Sequence, residues 1–224
     1  MSLRARLAGS VLFAVTMGVF EAAVVVYLRR LWELGEIDVA TANLSNRLVL
    51  TETLREGASL GMIASVGFLA GRRGFERLAH AAVIFGIWDI LYYAFLRVLT
   101  GWPTSLMDWD VLFLIPRAWV GPVLAPLLVS SALVAGGIVV ALREGSGRPV
   151  AVRAASWLGS SAGGALVIAS FLTPEIPRSP SDVPSGFCWA LFSAGLVLAL
   201  AGFGYALWTS RRIESVGRKR SEAC

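Results

Sequence analysis

The chain has one histidine and two cysteines among 224 residues, and charged residues make up only 16% of it. Each scarcity excludes something. A single imidazole, His80, cannot supply the ligand set of a zinc or haem centre, so neither cofactor is expected. Cys188 and Cys224 have no metal or redox spacing, and the distribution of arginine is expected to put them on opposite sides of a membrane, where they cannot bridge. No polar segment exceeds about twenty residues, which leaves no room for a soluble domain. Walker loops, dinucleotide fingerprints, serine elbows and metalloprotease helices are all missing. Serines inside apolar runs, such as Ser59, Ser65 and Ser170, have no histidine near them, which argues against a serine hydrolase.

What the chain does have is apolar sequence in long runs. Hydrophobic residues make up 56% of it and its mean hydropathy is +0.70, whereas a soluble domain holds about 45–50% apolar residues. A helix needs about 20 such residues to cross a ~30 Å hydrocarbon core. Six stretches reach that length: Leu7 to Leu28, Leu48 to Ala70, Leu78 to Leu99, a fourth ending near Leu142, Ala151 to Leu172, and Phe187 to Trp208. The first is too long for a signal-peptide core and reads as a retained helix. The expected fold class is all-α, a polytopic six-transmembrane-helix bundle. Residues 1–210 form a single transmembrane domain and 211–224 a short basic tail.

Arginine and lysine set the orientation. Thirteen lie on one side: Arg4 and Arg6, then Arg72, Arg73 and Arg77, then Arg143, Arg148 and Arg153, then Arg211, Arg212, Arg218, Lys219 and Arg220. Four lie on the other: Arg29, Arg30, Arg47 and Arg178. Both termini are therefore expected in the cytoplasm of a multi-pass protein of the cell membrane. The net charge of +5 needs no nucleic-acid partner; the basic tail instead suits anionic lipid.

Leu106 to Leu142 is too long for one span, since a continuous helix would measure about 55 Å. It also contains Pro116, Pro122 and Pro126. The reading is a broken, interfacial or re-entrant segment from Leu106 to Pro116, with the fourth span starting between Ala118 and Pro122 and Trp102, Trp109 and Trp119 in an aromatic belt. Broken backbone at membrane depth survives only where protein or water covers it, so this segment is expected to wall a cavity. The loop from Arg29 to Asn46 should lie on the outer surface, with Asn46 capping helix two. Small residues spaced for close helix contact occur in helix two (Gly57 and Gly61, Gly67 and Gly71), helix five (Gly159, Ser160, Gly163, Gly164) and helix six (Gly195, Gly202, Gly204).

Charges inside spans cost roughly 2.5–3.5 kcal/mol each, so they tend to be paired and functional. Under this topology Glu21, Glu52, Arg55, Glu56, Asp89, Arg97, Asp108, Asp110 and Arg117 all fall in the outer half of the membrane or at its outer face. Glu52, Arg55, Glu56 and Ser59 share one helical face. Arg55 can neutralise one neighbouring carboxylate, and Arg97 or Arg117 is the expected partner of the other. Tyr92 and Tyr93 stand one turn beyond Asp89, where a hydroxyl can donate to it. Glu21 lacks an evident local partner. Six acids against three bases suggest a proton, a metal or a cationic ligand. The candidate ligand-binding set is these nine charged residues together with Tyr92 and Tyr93.

The run Phe85-Gly86-Ile87-Trp88-Asp89-Ile90-Leu91-Tyr92-Tyr93, then Gly101-Trp102-Pro103, Asp108-Trp109-Asp110, Leu112-Phe113-Leu114-Ile115-Pro116 and Trp119-Val120-Gly121-Pro122, resembles segments of uncharacterised bacterial multi-pass membrane proteins. It covers the third helix through the start of the fourth and carries no activity with it. The expected function therefore rests on charge placement: cation- or proton-linked binding or transport of a small molecule. A non-catalytic membrane subunit or assembly partner and an embedded lipid-modifying enzyme are the alternatives, with the balance against an enzyme. Membrane lipids, a small-molecule or cationic ligand and an oligomeric or membrane partner are the expected contacts. A hard divalent cation held by oxygens stays open.

Overall fold

The computed structural model describes residues 1–33, 46–115, 117–174 and 186–222. Most of the expected outer loop, Pro116, Arg178 and Cys224 lie outside the described residues, as does the side chain of Asn46 with its expected capping role. Six helices carry the fold: α1 (Leu3–Glu33), α2 (Asn46–Ala70), α3 (Gly74–Thr100), α4 (Leu124–Gly145), α5 (Ala154–Phe171) and α6 (Trp189–Glu222). Each expected run lies within one of them or overlaps it closely, and α6 continues well past Trp208.

Five of the six, all but α2, are long and apolar enough to cross a membrane. Their outward faces confirm what solvent they suit. Val98 is 81% exposed, Leu158 70% and Val197 66%. Surfaces of this kind over whole helices are a liability in water and ordinary in lipid. Charge instead turns inward on α2, which carries Glu52, Arg55 and Glu56, and this is the helix that falls short as a span.

α3 is the central element and packs against α1, α2 and α4. Its contact with α4 is close because two glycines stand at the crossing. A Cβ on Gly86 would lie 2.5 Å from the Ser130 carbonyl oxygen, and one on Gly137 would lie 2.7 Å from that of Ala79. α5 pairs with α6 through Gly159, Ser160 and Gly163 on one side and Gly195 and Gly202 on the other: a Cβ on Gly163 would meet the Ala199 amide at 2.3 Å, and one on Gly202 the Ser160 amide at 2.6 Å. Gly57 and Gly61 behave otherwise, with nothing within 4 Å of either, so they do not pack α2 against its own bundle.

The segment before α4 breaks as expected, and its form is a short antiparallel hairpin, so the fold is mostly rather than wholly helical. β1 (Trp109–Phe113) pairs with β2 (Trp119–Pro122), with Trp109 opposite Pro122 and Val111 opposite Val120. A register irregularity between Val111 and Phe113 then sets Phe113 opposite Trp119. Pairing of residues 119–122 delays the fourth helix to Leu124. Val123, at the helix start, has no side-chain cap. Backbone carbonyls do that work: the Val123 N–H donates to Asp108 O at 2.9 Å and the Leu124 N–H to Leu106 O at 2.8 Å. Pro126 falls in the first turn, where no intrahelical donor is lost.

The hairpin also joins two apolar cores. One gathers Ala14, Met17, Ile63, Ile84 and Trp88, with Phe113 packed on it. The other gathers Ala125, Val167, Phe171 and Phe192, with Trp119 packed on it. The Phe113 and Trp119 rings meet edge-on at 5.7 Å, and Trp119 stacks on Phe171 at 6.3 Å. Trp119 is thus part of the packing between the two halves as much as of any interfacial belt.

Candidate functional site

A cavity of about 310 Å³ lies where α1, α2, α3 and β1 converge. α1 contributes Glu21, α2 contributes Glu52, Arg55, Glu56 and Ser59, α3 contributes Trp88, Asp89, Tyr92 and Tyr93, and β1 contributes Asp110 to Phe113. Eight of the eleven residues singled out in the sequence therefore meet at one place. Four segments deliver them because each carries polar groups into an apolar run, and such groups are stable only facing one another or water.

Arg55 organises one wall. Its Nε donates to Glu52 Oε1 at 2.9 Å, and Nη2 reaches the same oxygen. Nη1 donates to Glu21, which also accepts the Ser59 hydroxyl. Glu21, only 2% exposed, is thereby supplied with the partners it lacked in sequence. The other acids meet neutral donors. Glu56 accepts the Leu114 N–H at 2.9 Å on Oε2 and 3.1 Å on Oε1. Asp89 accepts the Ser130 hydroxyl at 2.8 Å. Asp110 accepts the Tyr93 hydroxyl at 2.9 Å. The tyrosine hydroxyl thus serves Asp110 rather than Asp89.

Arg97, Asp108 and Arg117 do not line the cavity. Arg97 donates to the carbonyls of Gly101 and Pro103 and fastens the chain as it leaves α3 at Gly101, whose φ of 79° suits glycine. Arg117 donates to Leu172 O at 3.3 Å, beside the end of α5. Asp108 accepts from the Thr104 hydroxyl and from the N–H groups of Thr104 and Ser105, and these bonds, the Thr104 hydroxyl first, hold its carboxyl below the usual aspartate range. All three are turn and helix-end devices. The expected pairing of Glu56 with Arg97 or Arg117 is not made, because both arginines are occupied by backbone carbonyls.

Set against protein-family models, curated proteins and solved structures, the chain matches none.

The cavity lining holds five carboxyl groups (Glu21, Glu52, Glu56, Asp89 and Asp110) and one guanidinium, Arg55. Trp88, Tyr92, Tyr93 and Phe113 add aromatic surface. The Tyr92 and Tyr93 rings meet edge-on at 5.0 Å. Among the described residues no three of histidine, cysteine, aspartate or glutamate stand so as to hold a metal ion. Excess negative charge on an aromatic wall is an environment for a cation that carries its own apolar substituents.

Sequence reasoning missed two kinds of participant. Backbone donors such as the Leu114 N–H leave no trace in residue identity. Ser130 sits in a helix with no other polar neighbour on its face and signals nothing until α4 is docked on α3. A second polar cluster, at the opposite end of the bundle, was also not anticipated. Arg6 pairs with Glu76 at 2.6 Å and donates to Ala70 O at 2.6 Å, and the Ser10 hydroxyl lies 2.8 Å from His80 Nδ1. His80 does therefore have a serine partner. Both are fully buried, and neither lines the cavities described here.

Proposed function

We propose that this integral membrane protein binds a small organic cation, of the protonated or quaternary amine class, in the carboxylate cavity, and that binding serves cation- or proton-linked transport. The observation that carries the reading is the lining itself, five carboxyls and one guanidinium beside four aromatic side chains in one cavity of about 310 Å³. Such a volume sits at the small end of ligand pockets. Tyr92, Tyr93 and Trp88 line it with rings of the kind that make cation–π contacts, worth more where water is thin. Glu52, Glu56 and Asp89 offer the compensating charge, and an unoccupied acidic cluster would take up protons instead, which is the link to proton coupling.

The reading includes a topology. α2 is the sixth crossing, both termini face the cytoplasm, and the cavity opens toward the outer face. The distribution of arginine supports it, as does the burial of the α2 charges against α1 and α3. The resemblance of residues 85–122 to segments of bacterial multi-pass proteins is consistent with it, and those residues include much of the cavity wall.

A second reading, a membrane subunit that associates with another chain, is favoured by one observation. Gly57 and Gly61 are exposed, one turn apart, with nothing within 4 Å of either. Small residues at this spacing let a foreign helix approach.

Equilibrium dialysis of the purified protein against amines from ammonium to tetraethylammonium tests the first reading. It calls for one saturable site that disappears in the Glu52→Gln, Asp89→Asn double variant. No saturable binding by any amine, or binding unchanged in the double variant, would discard it.

A further inference from the structure

The α3–α4 pair and the α5–α6 pair do not close on each other along their length. Between them lies an apolar crevice of about 400 Å³, with Ala82 and Gly136 on one wall and Gly164 and Leu200 on the other. Where a Cβ on Gly164 would stand, nothing lies within 4 Å, so the space is empty on that side. Along α4 the crevice runs from Val129 to Val140, a rise of roughly 16 Å. That is about half the ~30 Å hydrocarbon core. Leu78 and Leu200, on its rim, are 59% and 47% exposed, so the surrounding solvent can enter.

The crevice has a polar mouth. Phe75 and Leu78 line it and also line the adjoining cavity toward the start of α3, which is bounded by Arg73, Glu144 and Val150. Arg73 is exposed, and the exposed Arg148 and Arg153 flank the Val150 stretch. None of the three has an ion pair among the described residues. Glu144, the acid at this mouth, is buried and turned inward, with its Oε1 accepting the Val150 N–H at 2.8 Å. What faces outward is therefore cationic, at the end of the bundle where arginine concentrates.

We propose that this crevice holds one acyl chain of an anionic phospholipid, with the headgroup phosphate among Arg73, Arg148 and Arg153. The lining is almost wholly apolar, the length is that of one leaflet, and the charge at the mouth is complementary to an anionic headgroup, which guanidinium groups bind in preference to a neutral one. The lipid completes the contact between the two helical pairs, which otherwise meet mainly through the β-hairpin. This site is separate from the carboxylate cavity and does not depend on its ligand.

Native mass spectrometry of the detergent-purified protein, given phosphatidylglycerol or phosphatidylcholine of identical chains, tests it. One basic residue at an anionic lipid surface is worth roughly a fivefold gain in binding. The wild type should retain phosphatidylglycerol over phosphatidylcholine by at least about fivefold. An Arg73→Ala, Arg148→Ala, Arg153→Ala variant should lose the preference. Gly164→Phe should lose both lipids while unfolding at the wild-type temperature in lipid-free detergent. Equal retention of the two lipids by the wild type, a preference that survives the triple substitution, or undiminished lipid on Gly164→Phe would each overturn the proposal. Because Gly164 faces open space, and the arginines are on the surface, a folding failure is not the expected outcome for either variant, and the unfolding temperature measures it directly.

Discussion

The Glu56 carboxylate on α2 accepts the backbone N–H of Leu114, just past β1, at 2.9 Å. One side chain thereby lines the cavity and fastens the hairpin that walls it. Charge and architecture are coupled at this residue, and they can be separated by substitution.

Glu56→Gln keeps an oxygen acceptor and should leave stability nearly unchanged. Glu56→Ala removes it and strands the Leu114 donor, at a cost of about 2 kcal/mol, the usual worth of a hydrogen bond to a charged group. Chemical unfolding of both variants checks this. Equal losses would mean that the Leu114 contact is incidental.

Arg55 is the counter-charge for Glu21, which is almost completely buried. Arg55→Met leaves that carboxylate without its ion-pair partner, and breaking such a pair costs about 3–5 kcal/mol. Adding Glu21→Gln should restore most of the loss. A thermodynamic cycle over the four proteins measures the coupling, and an additive result would contradict the pairing.

Helix contact through glycine gives a third expectation. Gly86→Ala drives a Cβ into the Ser130 carbonyl and should cost about 1–3 kcal/mol by forcing α3 and α4 apart. The same displacement strains the Ser130–Asp89 bond. Gly57→Ala meets no neighbour within the chain and should be neutral or stabilising by up to about 1 kcal/mol through helix propensity. If Gly57→Ala instead abolishes association with a second chain, the subunit reading gains.

Asp108 is held ionised by the Thr104 and Ser105 donors, with a folded-state pKa below its unfolded value. Its contribution is therefore complete above the ordinary aspartate pKa and fades as the pH falls through the lower, folded value. The gap in melting temperature between wild type and Asp108→Asn should close at acid pH, open as the pH rises toward about 4, and stay constant above that. Parallel curves across the range would exclude the linkage.

Much of this arrangement is legible in residue order, for a physical reason. Membrane charges must find one another, so the placement of Glu21, Glu52, Arg55, Glu56, Asp89 and Asp110 in one half of the bundle already implied a meeting point. Arg97 and Arg117 look the same by that logic, yet both serve backbone carbonyls at element ends, a role sequence does not distinguish from pairing. The hairpin was not legible because strands of five and four residues are too short for a period to show. The prolines marked the break correctly but not its form. Gly57 and Gly61 carry the same spacing as Gly159 and Gly163 of α5, and only the neighbouring helix decides which pair is used.

The most direct test is thermal unfolding of the purified protein across a panel of alkylammonium ions, beside Glu52→Gln, a change that spares the Glu56 anchor. A ligand bound by the folded state raises the melting temperature by mass action, in step with its concentration. A concentration-dependent rise in the wild type that is lost in Glu52→Gln is the result expected of a cation site. A wild-type melting temperature that no ion moves, with Glu52→Gln merely unfolding earlier, would make the carboxylates part of the scaffold and contradict it.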